Sequence, residues 1–174
     1  MKRLATLRLI GPAGFALALL PCIATAQMQK PHPYRSSIVD MPISLAVGTV
    51  RTPPFAVTEQ AYRIMVQVEK PLPYHQMLCM MGVTYGPLDA KGCTPNDPLL
   101  RAEWTVRDGN QVFTTGTSSM EADGKFTDKY IFKLLGDFQG WEGKTYTLEV
   151  KFTANGAALN VAHPHLLVVP EGSE

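Results

Sequence analysis

The chain alternates apolar and polar positions most regularly between Ala61 and Glu69, where Tyr62, Ile64, Val66 and Val68 fall on one face and Arg63, Gln67 and Glu69 on the other. A period of two predicts a strand with one buried face. Met65 breaks the polar side, so this strand is expected to be central or covered there, and Pro71 and Pro73 stop it. The same rhythm returns in Leu99 to Arg107 and Gln111 to Ser118, with Asp108, Gly109 and Asn110 between them. That pattern predicts a hairpin, with Trp104 as the central core aromatic. A further strand pair is expected around Tyr130 to Leu135 and Lys144 to Thr153, divided by Gly136, Gly140 and Gly143; Tyr146, Leu148, Val150 and Phe152 alternate there with Thr147, Glu149 and Lys151. Ile43 to Val50 predicts a first strand ended by Pro53 and Pro54. Leu166 to Val169 predicts a closing strand before Pro170, behind a turn at Asn155 and Gly156.

One segment departs from this rhythm. His75 to Met81 places Met77, Met80 and Met81 at i, i+3 and i+4, which predicts a short helix stopped by Gly82. Many short strands with turn signals between them and no βαβ rhythm predict an all-β fold, an antiparallel two-sheet sandwich with one short crossover helix. The run from Glu142 through Tyr146 to Val150 resembles the tyrosine corner of immunoglobulin-like sandwiches, with Tyr146 as the corner residue. The resemblance implies that the Tyr146 hydroxyl is tied to the connection preceding its strand. Where antibody domains place a cysteine two residues later, this chain has Leu148, so that family's intersheet disulfide is missing. As a whole the chain is similar to small exported bacterial immunoglobulin-like sandwiches.

The first residues change the picture of where this domain works. Lys2, Arg3 and Arg8 precede an apolar run from Ala13 to Leu20 and the small triplet Ala24, Thr25 and Ala26, the pattern of a secretory signal cleaved after Ala26. The run is shorter than the ~20 residues that cross a hydrocarbon core, so the protein is not expected to span a membrane. Cys22 follows Leu20 and Pro21 rather than the small residue of a lipobox, so lipidation is not expected. The expected organisation is a signal over residues 1–26, a flexible arm with Pro31 and Pro33 over 27–40, and the sandwich domain over 41–174, periplasmic or secreted.

Export also decides the cysteines. Cys79 and Cys93 remain once Cys22 has gone with the signal, and an oxidising compartment makes them a disulfide, worth ~3 kcal/mol for a loop of this size. Removing Lys2, Arg3 and Arg8 from 16 basic residues leaves fewer than the 15 acidic ones. The charges are interspersed, with no basic patch to neutralise phosphates, so neither nucleic acid nor an anionic lipid surface is an expected partner.

No catalytic constellation is legible. Ser118 and Ser119 follow Thr114, Thr115, Gly116 and Thr117 rather than forming a Gly-x-Ser-x-Gly elbow, and neither His-Glu-x-x-His nor a phosphate loop is present. Acidic residues are scattered singly, so no glycosidase pair can be named, and no enzyme is expected. Imidazole and thioether at His75, Met77, Met80 and Met81 fit Cu(I), although methionines at helical spacing also fill core gaps. His163 and His165 alternate around Pro164 and are too few for a metal centre alone. Trp141 in a glycine-rich connection, with Phe138 and the loop residue Tyr85, offers aromatic contact for a protein partner or a sugar. The expected function is an exported, non-catalytic sandwich that binds another protein, in one concrete version an immunity protein neutralising a periplasm-active toxin. The alternative is a periplasmic module for copper or carbohydrate.

Overall fold

A computed structural model describes residues 37–83, 93, 99–118 and 124–172. The expected signal and residues 27–36 of the expected arm lie outside these. Among the described residues ten strands form two antiparallel sheets: β1 (Val39–Pro42), β2 (Gly48–Arg51), β3 (Phe55–Ala56), β4 (Ala61–Glu69), β5 (Ala102–Asp108), β6 (Gln111–Thr117), β7 (Gly124–Phe126), β8 (Tyr130–Gln139), β9 (Thr145–Phe152) and β10 (His165–Pro170). The first sheet runs β1-β10-β4-β8-β7 and the second β2-β9-β5-β6, with β3 also on β9. Helix α1 (Tyr74–Met81) and a 3-10 helix (Ala157–Ala162) complete the described elements. No described helix is long and apolar enough to cross a membrane.

The inward faces are the alternating sets read from the sequence. Tyr62, Ile64, Val66 and Val68 of β4 share one core with Trp104 and Val106 of β5 and with Tyr146, Leu148, Val150 and Phe152 of β9. Strand β4 is central in its sheet, and its opposite face is covered too: Met65 is buried in a second cluster with Tyr130, Phe132, Leu167 and Val169. This accounts for the apolar residue on the polar side of β4, since a strand buried on both faces loses its alternation.

Helix α1 buries Met77, Leu78 and Met81 in the main core at no more than 1% exposure, each worth roughly 1.5–3 kcal/mol on removal from water. Gly82 ends it in the left-handed conformation (φ 63°), the Gly82 N–H donating to Cys79 O and the Val83 N–H to Leu78 O, both at 3.0 Å. The carbonyl of Gly82 accepts the Nζ of Lys133, at 2.9 Å, from a side chain with no exposed surface. Burial pushes Lys133 down to about 8, and the positive charge of Arg101 pushes the same way.

Three expectations are corrected. The strand expected over Ile43 to Val50 is not continuous: β1 ends at Pro42 on β10 in one sheet, and of the expected span only Gly48 to Val50 is strand, in β2 on β9 in the other. Between them Leu45, fully buried, plugs the core, its N–H donating to Asn160 Oδ1 and its carbonyl accepting the Gly156 N–H. The first strand therefore begins at Val39, inside the expected arm. Strands β8 and β9 are not a pair: β8 lies beside β4 and β7, β9 beside β5 and β2, so the chain crosses between sheets at Gly140 to Lys144.

Strand β8 also runs past Leu135 to Gln139. Ile64 faces Gly136 and Met65 faces Leu134, which leaves Leu135 as an extra residue, a β-bulge. The Leu135 carbonyl accepts the indole Nε1–H of Trp104 at 3.0 Å. A Cβ on Gly136 would stand 2.5 Å from that nitrogen, and one on Gly116 would stand 2.3 Å from the ring. The expected core aromatic therefore sits in a slot walled by two glycines, one from each sheet.

Candidate binding surface

The crossover from β8 to β9 carries the most exposed large apolar side chain among the described residues, Trp141, at 69%. Its backbone is held on several sides. The Trp141 N–H donates to the Tyr146 hydroxyl at 3.2 Å, and its carbonyl accepts the Lys144 N–H at 3.0 Å. Gly140 N–H donates to Gln60 O at 2.8 Å and Gly143 N–H to Val57 O at 2.9 Å, fastening the crossover to the β3–β4 loop. That loop is pinned in turn: the hydroxyl of Tyr62 accepts the N–H groups of Thr58 and Glu59, each at 2.7 Å. Beneath both loops Phe138 stacks on Tyr62 at 5.4 Å and meets Tyr146 edge-on at 6.2 Å. The tie expected of Tyr146 is present, and Tyr62 makes a second of the same kind.

Two shallow grooves of about 390 Å³ each flank the crossover. Trp141, Gln139, Gly140, Gln60 and Glu142 line one; Gln60 and Glu142 also border the other, with Thr58, Glu59, Ala61 and Glu171. Among the described residues no lysine or arginine lines either. Glu171 pairs with Arg63 at 3.2 Å, while neither Glu59 nor Glu142 has an ion-pair partner among the described residues. An exposed indole fixed beside amides and carboxylates can stack on one face of a ligand and hydrogen-bond to its edge.

The residues picked from the sequence scatter. Phe138 is buried in the core beneath Trp141, and Tyr85 lies outside the described residues. Cys79 and Cys93 are bonded, with Cα atoms 5.3 Å apart. Met77 and Met81 are fully buried and Met80 partly so, packed into or against the main core, whereas His75 is exposed with Nδ1 3.8 Å from Cys79 Sγ. His75, Cys79 and Cys93 bring ring nitrogen and sulfur within 4.8 Å of one another, but the disulfide occupies both thiolates. His163 is exposed and left-handed (φ 47°) at the end of the 3-10 helix, outside β10; His165 begins that strand and places Nδ1 2.7 Å from Asp40 Oδ1.

Sequence reading missed Gln60, Gln139 and the Tyr62 tie. Gln139 pairs with Ala61 in the β4–β8 register, so the two glutamines meet through a non-local strand pairing that no local signal announces.

No protein-family model matches this chain, and no curated protein is similar to it in sequence. A crystal structure of a protein from Sulfurospirillum deleyianum is similar in fold, with a TM-score of 0.55 over 77% of this chain and 97% of that one, at 10% sequence identity. Likeness at that identity speaks to the fold alone.

Proposed function

We propose that this chain is an exported, non-catalytic binding module of immunoglobulin-like build, which holds a macromolecular partner on the end of the sandwich that carries Trp141. The observation that supports the reading is a 69% exposed tryptophan on a crossover whose backbone is fastened at Gly140, Trp141, Gly143 and Lys144. A large apolar side chain left in water costs free energy, and ordering a loop on binding costs more; a fastened loop has met the second cost before the partner arrives. The disulfide is in keeping with an oxidising compartment outside the cytoplasm.

The test is retention of envelope and periplasmic components on the immobilised, oxidised domain, compared with Trp141→Ala. A component held by the natural chain and lost by the variant, with both melting at the same temperature, is the expected result. Equal retention by both would remove Trp141 from the function. The immunity version is a protein partner at this same end, and its expected signature is that deleting the gene raises sensitivity to toxins of neighbouring cells. Amino-terminal sequencing of the exported protein tests the leader, with Gln27 expected first.

A further inference from the structure

The chemistry around Trp141 narrows the partner. A hydrophobic ligand asks for a concave site lined mainly by apolar side chains. Here the grooves are open and bordered by Gln60, Gln139, Glu142, Glu59 and Thr58, with the indole as the one large apolar surface. A ligand that suits this arrangement is polar around its edge and apolar on one face. Amides both donate and accept, and carboxylates accept twice over, which matches hydroxyl groups that do both. The indole supplies a flat face for stacking on C–H groups.

From this geometry we propose that Trp141, Gln60, Gln139 and Glu142 form a binding site for a neutral polysaccharide, one pyranose ring stacking on the indole. The proposal rests on the reading that the Trp141 end is the binding face. Charge sets the sign of the ligand. Glu142 shares the groove of the indole and Glu59 borders the adjoining one, no lysine or arginine among the described residues lines either, and an anionic sugar polymer is repelled. The grooves abut at Gln60 and Glu142, so a linear chain stacked on Trp141 continues from one into the other. This favours an oligomer over a single ring.

The protein carries its own reporter. Trp104 is buried and hydrogen-bonded to Leu135, so a solvent-sensitive change in tryptophan fluorescence belongs to Trp141. The oxidised domain is titrated with cellohexaose, with chitohexaose and, as the anionic control, with a galacturonic acid hexamer. The two neutral probes distinguish a glucan from an N-acetylated chain. The expected result is a saturable blue shift with at least one neutral hexamer and none with the anionic one. By calorimetry the affinity falls at least about tenfold in Trp141→Ala, as for other central aromatic anchors. It falls about two- to tenfold in Gln60→Ala and Glu142→Gln, the loss of one net hydrogen bond each.

A preference for the anionic hexamer overturns the proposal, as does binding that Trp141→Ala leaves unchanged. If neither neutral hexamer shifts the spectrum while Trp141 still governs retention of a protein from the extract, the polysaccharide assignment falls and the binding face stands. If Trp141→Ala alters neither experiment, both fall together.

Discussion

The hydroxyl of Tyr146, a residue 1% exposed, accepts the backbone N–H of Trp141, a residue 69% exposed, at 3.2 Å. A core side chain thus fixes the height and direction at which the surface aromatic leaves the domain. Nothing in this tie uses the indole itself, so positioning and contact belong to different atoms of the same loop.

Removing the oxygen alone separates these roles. Tyr146→Phe keeps the ring in contact with Phe113 and Phe138 but leaves the Trp141 N–H without its acceptor. The expected loss is about 1 kcal/mol. Tyr62→Phe strips two N–H groups of their acceptor and is expected to cost more, roughly 1–3 kcal/mol. Urea melts of both variants check the order; a smaller loss for Tyr62→Phe would contradict it.

Trp141→Ala is expected to leave stability within about 0.5 kcal/mol of the natural chain, because the exposed indole packs little and the backbone tie survives. A large drop in melting temperature would mean that the side chain holds the crossover in place.

Gly116→Ala and Gly136→Ala each place a methyl group within 2.5 Å of Trp104, whose ring is held by the bond to Leu135 and cannot swing away freely. Overpacking of this kind costs roughly 1–3 kcal/mol or more. Near-ultraviolet circular dichroism should lose its tryptophan bands in both variants, and retention of those bands with unchanged stability counts against the slot.

Lys133 makes stability depend on pH in an alkaline window. Its folded value of about 8 lies below the 10.5 of an unperturbed lysine, so between the two the unfolded chain binds the extra proton. Stability then rises with pH, and the destabilisation that protonated Lys133 imposes below pH 8, ~3 kcal/mol in full, fades towards pH 10.5. The measurement is the difference between the natural chain and Lys133→Met in melts from pH 7 to 10.5, which isolates this one group. The difference should change in favour of the natural chain as pH rises; a flat difference rules out the buried ammonium.

Reduction of Cys79–Cys93 is expected to remove ~3 kcal/mol. It should act first on α1, where the buried Cys79 is the attachment point. Melting with and without a phosphine reductant gives the value, and Cys93→Ser should reproduce it.

What the sequence made legible follows from how local each signal is. β4, the β5–β6 hairpin, α1 and β9 announced themselves because periodicity, turn chemistry and a stop glycine are properties of a few adjacent residues. Tyr146 was found by its place near a strand start. Phe55 and Ala56, only two residues long between Pro54 and Val57, carry too little pattern to read as β3, and Gly124 to Phe126 too little to read as β7. The crossing at Ile43 to Val47 looks like a continuous apolar strand because Leu45 is buried between the two sheets as deeply as any strand residue. Lys133 gave no warning at all: a lysine in an alternating run reads as solvent-facing until the carbonyl of Gly82 is seen waiting for it.

The extra residue in β8 has a consequence for the length of that strand. Up to and including it, Ile131 and Leu135 face the main core at odd positions; after it, Phe138 does so at an even one. Excising Leu135 would restore simple alternation and leave every remaining β8 side chain on its present side, yet it would withdraw the one oxygen that receives the Trp104 indole. A one-residue deletion there is therefore silent to the sheet's pattern and costly to the interior, a combination that scanning for hydrophobic periodicity alone would never flag.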